Sequence, residues 1–241
     1  MVLIFDLDDT LYDEMTYVRS GLRAVAAFGQ VLFGWNENDS YKFMNDTLLM
    51  HGRGKVFDEW LHAHGRYSAS CVSQCVHLYR HHTPNISLSK LTQKVLARYQ
   101  GRYSLYLVTD GHKIVQQKKI AALGIESMFK RCLITHRFGI RHAKPSLYCF
   151  EKIRNAEKCA WSSMVYVGDN PAKDFVNLNA MGSLTIRVRT GSHAEAMARA
   201  GYDAQHTIQD LTHLPLVLDQ AISNAAKPVV QLSTELKRSI D

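Results

Sequence analysis

The stretch that decides the fold is MVLIFDLDDTLYDE, residues 1–14. Its apolar run Val2–Phe5 predicts a short buried strand, because the run is too short for a helix and rich in residues that favour sheets. Asp6 and Asp8 then lie on the same side of the extended chain, since side chains alternate with a period of two. Two carboxylates at the end of a buried strand repel each other and resist desolvation unless a cation lies between them. The stretch therefore predicts a metal site.

Outside this stretch, apolar segments alternate with segments of helical periodicity. The apolar segments are SLYLVTDG (104–111), SSMVYVGDN (162–170) and SLTIRV (183–188). The helical segments are KIVQQKKIAALGI (113–125), KPSLYCFEKIRNA (144–156) and PAKDFVNLNAMG (171–182). This alternation predicts an α/β fold with a doubly wound, mainly parallel sheet. In such sheets ligands bind at the carboxyl ends of the strands.

The alternation is interrupted between the first strand and residue 86. The interval contains four amphipathic helical segments, at 17–34, 39–52, 55–65 and 68–82, separated by Gly, Asn or Ser. We therefore expect a core domain formed by 1–14 and 87–225, a helical cap at 15–86, and a C-terminal tail or terminal helix at 226–241. Between Thr109 and Lys144 only one helix and one short strand, CLITH (132–136), fit, so no second large insertion is expected there.

Composition narrows the class of protein. The chain has 241 residues, of which 46% are hydrophobic and 21% charged, as in an ordinary soluble enzyme. It lacks an apolar stretch of membrane-spanning length and a secretory leader, so we expect a cytoplasmic protein without a membrane partner. The five cysteines have no paired metal-binding spacing. The net charge of +7 is dispersed and suits a phosphorylated small molecule as well as a nucleic acid.

Four short motifs follow or flank the predicted strands. They are DLDDT (6–10), Thr109-Asp110-Gly111, Lys144-Pro145 and GDNPAKD (168–174). In this order they resemble the four motifs of the haloacid dehalogenase superfamily, over residues 1 to about 215. The helical interval resembles the cap that this superfamily inserts after the first strand. Each motif alone is a weak signal, whereas four in the right order on the right elements are specific.

The resemblance implies a magnesium-dependent phosphatase. Asp6 would attack phosphorus and form an aspartyl-phosphate, a reaction in which positioning and charge neutralisation do most of the work. The Mg²⁺ ligands would be the Asp6 carboxylate, the Asp8 backbone carbonyl and the Asp169 carboxylate. The Asp8 side chain would then protonate the leaving oxygen and later deprotonate the attacking water.

The remaining motif residues would bind the phosphoryl group. Within the second motif (109–111), Thr109 offers a hydroxyl and Gly111 an unobstructed backbone N–H, with Asp110 between them. Lys144 supplies a fixed positive charge for the phosphoryl group and for Asp6. Asp174 falls in the first turn of a helix predicted to begin at Pro171, where it would fix Lys144 or a metal-bound water.

Several reactions remain open within such a superfamily. A dehalogenase needs neither a second aspartate nor a metal, so Asp8 and Asp169 favour phosphoryl transfer. A phosphonate hydrolase would need a cap lysine, for which Lys55 is a candidate without diagnostic neighbours. A nucleoside monophosphate phosphatase or a sugar phosphomutase fits the same motifs. We favour a sugar phosphate as the substrate because no nucleobase-recognition pattern is visible.

A binding protein with a degenerate core is the alternative that is not an enzyme. Such a core should have lost one of its motif residues, yet all of them are present, and no RNA-binding signature appears, so no nucleic-acid partner is expected. The sequence carries no signal for an oligomeric state.

The cap contains one segment that interrupts the helices with two glycines around two cations, HGRGKVF (51–57). It predicts a loop, in which Arg53 or Lys55 would contact the leaving group or its phosphate when the cap closes. The alternative is an ordinary interhelical turn with solvated cations.

Overall fold

The fold is built on one parallel sheet. The computed structural model describes residues 1–225, so the tail or helix predicted at 226–241 lies outside the described residues. Within them, six parallel strands form a sheet in the order β3-β2-β1-β4-β5-β6. The strands are β1 Val2–Phe5, β2 Ser104–Thr109, β3 Arg131–Ile134, β4 Met164–Gly168, β5 Leu184–Val188 and β6 His206–Ile208. The predicted α/β class with a parallel sheet is confirmed.

Helices cover both faces of this sheet, as the term doubly wound requires. Side chains of β1 alternate between two apolar layers: Leu3 and Phe5 enter one layer, and Val2 and Ile4 enter the other. The first layer includes residues of α5, α6 and α9, and the second includes residues of α7 and α8. These helices are α5 Lys90–Tyr99, α6 Lys113–Leu123, α7 Tyr148–Glu157, α8 Val176–Ala180 and α9 Leu214–Ala225.

Four helices lie between β1 and α5, each overlapping a segment with predicted helical periodicity. They are α1 Glu14–Phe33, α2 Glu37–His51, α3 Val56–Ala63 and α4 Ala69–His81. Helix α1 begins where the Asp13 side chain accepts a hydrogen bond from the Met15 N–H, and it ends at Gly34 in the left-handed region. The fully buried Trp60 of α3 belongs to the apolar core and packs edge-on against Trp35.

Two details differ from the sequence-based expectations. Strand β6 was not predicted, because it has three residues and only Ile208 among them is buried. The helix expected to begin at Pro171 begins at Val176, because 171–175 form turns instead. Between Thr109 and Lys144 the chain forms α6, β3 and short 3₁₀ turns, as predicted. Among the helices of residues 1–225, none combines the length and apolar character needed to cross a bilayer.

Candidate active site

Three of the four motifs meet at one edge of the sheet. Thr109 ends β2, Asp6 follows β1 and Asp169 follows β4, and these three strands are neighbours. A cavity of about 170 Å³ lies at this edge. It is lined by Asp6, Asp8, Asp9, Glu14, Thr109, Asp110, Asp169, Asn170, Lys173, Ser192 and His193. The parallel sheet therefore brings together residues that are far apart in the chain.

Lys144 is a buried cation that contacts Asp6, one of the residues lining this cavity. Its Nζ is 3.0 Å from Asp6 Oδ1 and 2.8 Å from Asp174 Oδ1. Burial alone would lower the pKa of Lys144, but the carboxylates of Asp174 and Asp6 outweigh burial and raise that pKa well above its ordinary value. Lys144 is therefore a permanent positive charge beside Asp6, as the sequence predicts.

Asp174 reaches Lys144 from the turn that precedes α8, not from a helix. Its Oδ2 accepts a hydrogen bond of 2.9 Å from the Asn170 backbone N–H. The approach requires glycine at position 168, since a Cβ there would lie 2.6 Å from Asp174 Oδ2. Asp174 thus contacts Lys144, one of the two partners proposed from the sequence.

The carboxylates around Lys144 form a group that fits a divalent cation. Oxygen atoms of Asp6, Asp169 and Asp174 lie within 4.8 Å of one another. Burial, reinforced by neighbouring carboxylates, raises the pKa of Asp6 to about 8 and the pKa of Asp169 to about 7. A hard cation with a preference for oxygen ligands would relieve this repulsion. Lys144 pairs with both Asp6 and Asp174, but of the three carboxylates only Asp6 and Asp169 line the cavity, so these two are accessible to a cation there.

The Asp8 carboxylate lines the same cavity and is held by three donors. Tyr12 Oη donates to Oδ1 at 2.8 Å, Lys119 Nζ lies 2.7 Å from Oδ1, and Gln116 Nε2 donates to Oδ2 at 2.7 Å. Neither Gln116 nor Lys119 was singled out from the sequence. Both lie on the buried side of α6. Because these two buried residues are polar, the spacing of apolar residues does not identify the buried side of this helix.

The second motif contributes differently from each of its positions. Gln116 Nε2 donates to Thr109 Oγ1 at 2.6 Å, which leaves the hydroxyl proton free to donate elsewhere. Asp110 accepts from the Lys144 backbone N–H at 3.1 Å and pairs with Lys173 Nζ at 2.9 Å. Burial would raise the pKa of Asp110, but Lys144 and Lys173 lower it. Gly111 has a positive φ of 132° and follows directly.

The loop between α2 and α3 carries the two cations that the sequence singled out. Arg53 Nη2 lies 2.6 Å from Glu14 Oε2, and Glu14 lines the cavity. Burial would raise the pKa of Glu14, but Lys119 and Arg53 outweigh burial and lower that pKa to about 2. Lys55 is exposed at the start of α3. Arg53 therefore contacts a residue that lines the cavity, whereas Lys55 is on the surface.

A histidine that the sequence did not mark completes the rim. His193 Nδ1 lies 2.9 Å from Asp169 Oδ2, and its Nε2 lies 3.0 Å from Asn170 Nδ2. The neighbouring Asp9 carboxylate accepts from the Ser192 N–H and hydroxyl at 2.9 and 2.8 Å. His193 stands in a loop after β5 without a motif around it, so only the fold reveals its position.

Fold and site together define the class of protein. A family model described as haloacid dehalogenase-like hydrolase matches residues 3–188. The chain belongs to this family, and the resemblance inferred from its four motifs is confirmed.

Among curated proteins, the chain is similar to archaeal phosphatases. It is 27% identical to a glyceraldehyde 3-phosphate phosphatase of Methanocaldococcus jannaschii, over 80% of this chain and 86% of the relative. It is 26% identical to the glyceraldehyde 3-phosphate phosphatase of Pyrococcus furiosus, over 91% of this chain and 93% of the relative. These matches confirm the prediction of a phosphatase-type hydrolase.

Solved structures share the fold at lower identity. The magnesium-bound HAD-hydrolase YfnB from Bacillus subtilis matches with a TM-score of 0.66 and 18% identity, over 90% of this chain and 98% of that chain. A HAD phosphatase from Thermococcus onnurineus matches with a TM-score of 0.55 and 20% identity, over 90% and 97% of the two chains. At these identities the likeness concerns the fold alone.

Proposed function

We propose that this protein is a Mg²⁺-dependent phosphatase that hydrolyses a small sugar phosphate through an aspartyl-phosphate intermediate. The observation that carries this proposal is the buried cluster of Asp6, Lys144 and Asp174 beside Asp169, at the carboxyl end of the central strands. Burying several charged groups together carries a large desolvation cost. Such clusters are typical of sites that bind a ligand. A phosphoryl group is a ligand that needs both the nucleophile and the cation.

The first half of the reaction transfers the phosphoryl group to Asp6. A carboxylate oxygen of Asp6 forms a bond to phosphorus while the ester P–O bond breaks, and Asp8, which enters this step in its protonated form, donates that proton to the departing oxygen. Lys144, 3.0 Å from Asp6, holds the nucleophile in place and attracts the phosphoryl oxygens. The free hydroxyl proton of Thr109 and the backbone N–H of Gly111 bind the same oxygens.

The second half removes the phosphoryl group from Asp6. Asp8, which has lost its proton, accepts one from a water molecule as the water oxygen attacks phosphorus. The acyl-phosphate bond breaks, phosphate leaves, and the Asp6 carboxylate is restored. Asp8 therefore serves first as an acid and then as a base.

Asp6, Asp169 and the backbone carbonyl of Asp8 would hold the Mg²⁺. When bound, the ion neutralises negative charge on the carboxylate nucleophile and on the phosphoryl group. The raised pKa values of Asp6 and Asp169, caused first by burial, fit a site in which two carboxylates share a cation.

We also propose a class of substrate and a division of the chain into a core and a cap. The relatives that act on glyceraldehyde 3-phosphate support a short phosphorylated sugar. We assign 1–14 and 87–225 to the catalytic core and 15–86 to a cap. The cap loop approaches the cavity through the Arg53–Glu14 pair, which supports a role for Arg53 in contacting the part of the substrate that leaves. Lys55, exposed in the same loop, is proposed as the alternative contact.

The test is a phosphate-release screen with and without Mg²⁺. The panel should include glyceraldehyde 3-phosphate, other sugar phosphates, nucleoside monophosphates and p-nitrophenyl phosphate, each scored by kcat/KM. We expect Mg²⁺-dependent release with the highest kcat/KM for a sugar phosphate. Preference for a nucleotide would overturn the substrate, isomerised sugar phosphate without release would indicate a mutase, and no turnover with any divalent metal would favour a binding protein.

A further inference from the structure

Four charged side chains of alternating sign run from the cap loop to the cavity. Arg53 Nη2 lies 2.6 Å from Glu14 Oε2, and Glu14 Oε1 lies 3.0 Å from Lys119 Nζ. Lys119 Nζ in turn lies 2.7 Å from Asp8 Oδ1. The chain of contacts joins the α2–α3 loop, the start of α1 and the core helix α6 to Asp8.

Among these four charged residues, Lys119 is the one whose side chain is almost completely buried. Its side chain is 2% exposed, against 52% for Arg53. The Lys119 ammonium also lies 4.5 Å from the ring centroid of Tyr17 on α1. A buried ammonium needs partners that replace its hydration, and Asp8 and Glu14 are those partners. One cation therefore binds the Asp8 carboxylate of the first motif and the Glu14 carboxylate at the start of α1.

Lys119 and Gln116 together orient Asp8. They lie three residues apart on one side of α6, and each approaches a different oxygen of Asp8. The two contacts give the Asp8 carboxylate a defined plane and direction, which is what accepting a proton from one particular water, and donating it once Asp8 is protonated, requires.

We infer that Lys119 is a positioning residue that orients Asp8 for proton transfer and links its orientation, through Glu14, to the cap loop that carries Arg53. This inference rests on the proposed role of Asp8 as acid and base. The ion pairs of Lys119 are with Asp8 and Glu14, and of these two only Asp8 has a role in that mechanism, so the effect of Lys119 on the reaction must pass through Asp8.

A purely structural role and a positioning role for Lys119 lead to different kinetics when the residue is replaced. Loss of a structural lysine lowers activity with every substrate alike. Loss of a residue that acts through Asp8 matters most when the leaving group needs a proton. An alkyl alkoxide needs one, whereas p-nitrophenolate is stable enough to leave without it.

The experiment measures kcat/KM for Lys119→Met with two substrates, the best alkyl phosphate of the screen and p-nitrophenyl phosphate. We expect a loss of about 100-fold with the alkyl phosphate, because small misplacements of an acid cost this much, and a loss below about 5-fold with p-nitrophenyl phosphate. Lys118→Met is the matched control, since Lys118 neighbours Lys119 on α6 and forms no ion pair with any residue in 1–225. It should change either value by less than about 2-fold.

The same measurements are repeated in an Asp8→Asn background. If Lys119 acts through Asp8, Lys119→Met should lower kcat/KM there by less than about 2-fold, because the group that it orients is already gone. Equal losses with both substrates, or a full additional loss in the Asp8→Asn background, would overturn the inference.

Two further measurements keep the test decisive. If Lys119→Met does not fold, as judged by far-ultraviolet circular dichroism, Lys119→Arg keeps the charge and carries the same cycle, with an expected alkyl-phosphate loss of about tenfold. If the wild-type protein releases no phosphate from any substrate, the proposed function fails and the role of Lys119 fails with it. If the wild type is active and the effects of Lys119→Met and Asp8→Asn on kcat/KM are additive in the double variant, only this inference fails.

Discussion

Lys144 Nζ lies 2.8 Å from Asp174 Oδ1, and both side chains are at most 1% exposed. Removing one partner of a buried ion pair typically costs about 3–5 kcal/mol, and the loss of Asp174 should fall at the lower end, about 3 kcal/mol, because Lys144 keeps Asp6 as a partner at 3.0 Å. We therefore expect Asp174→Asn to lower the free energy of unfolding in urea by about that amount. The matched control is Glu195→Gln, which breaks the pair between Arg189 and a carboxylate that is 90% exposed. That change should cost less than about 1 kcal/mol, and similar losses for both variants would show that burial of the Lys144 pair does not matter.

Replacement of the proposed nucleophile should separate activity from folding. Asp6→Asn keeps the size of the side chain but removes the carboxylate that attacks phosphorus in the proposed mechanism, so we expect kcat to fall by roughly a thousandfold or more. Intact-mass spectrometry of the rapidly quenched wild type should show a phosphorylated form that Asp6→Asn lacks. A substantial rate in the variant, with its circular dichroism unchanged, would rule out the covalent mechanism.

Asp8 has two separable roles in the proposed mechanism. Its side chain moves protons, while its backbone carbonyl would bind Mg²⁺. We expect Asp8→Asn to lower kcat by about 100-fold or more and to retain Mg²⁺ affinity within roughly threefold in isothermal titration calorimetry. Asp169→Asn is the reference variant, since it removes a carboxylate ligand and should weaken the ion strongly. Complete loss of Mg²⁺ binding in Asp8→Asn would contradict this division of roles.

The cap loop offers a test of substrate recognition. Arg53 is half-exposed and paired with Glu14, so it can exchange this carboxylate for an anionic group on the substrate. We expect Arg53→Ala to raise KM for the preferred sugar phosphate by about tenfold, and to raise KM for p-nitrophenyl phosphate much less. Lys55→Ala tests the second cation of the same loop. If neither variant changes KM, or if both substrates respond alike, the loop is only a turn.

His82 should make the stability of the helical segment depend on pH. Burial lowers the pKa of His82, and Lys118 adds to this, although a hydrogen bond to the Tyr79 carbonyl opposes it. A histidine whose pKa is lower in the folded than in the unfolded state makes its full contribution to the folding free energy above the unfolded pKa of 6.5. This contribution is lost as the pH falls from 6.5 through the lower pKa of the folded state.

We therefore expect urea unfolding to show less loss of stability between pH about 7.5 and about 5 in His82→Gln than in the wild type. His77→Gln, at an exposed position on the same α4, should keep the wild-type difference. Identical pH dependence in wild type and His82→Gln would contradict the prediction.

Sequence alone predicted the parts of the site that local pattern determines. The apolar runs of β1 and β4 end at Asp6 and Asp169, so their carboxylates had to lie near each other once the strands were parallel neighbours. Residues 171–175 misled the helix prediction because Asn170 directs that segment into turns. Its Oδ1 accepts from the Ala172 N–H, and its carbonyl accepts from the Asp174 N–H.

Lys119 and His193 could not be predicted in this way, because their roles depend on contacts between distant segments. Three lysines occur in 113–119, and nothing local distinguishes the one that pairs with Asp8. His193 meets Asp169 only because the end of β5 lies beside the end of β4.

The position of β1 in the sheet has a consequence for synthesis on the ribosome. Strand β1 leaves the exit tunnel before both of its neighbours, yet Val2 pairs with Ser104 on one side and Met164 on the other. Closing such long loops is slow, and an unpaired apolar strand is prone to aggregate while it waits. In the nascent chain, one edge of β1 therefore stays unpaired until β4 emerges, and a truncated product that ends before β4 keeps this open edge and lacks Asp169.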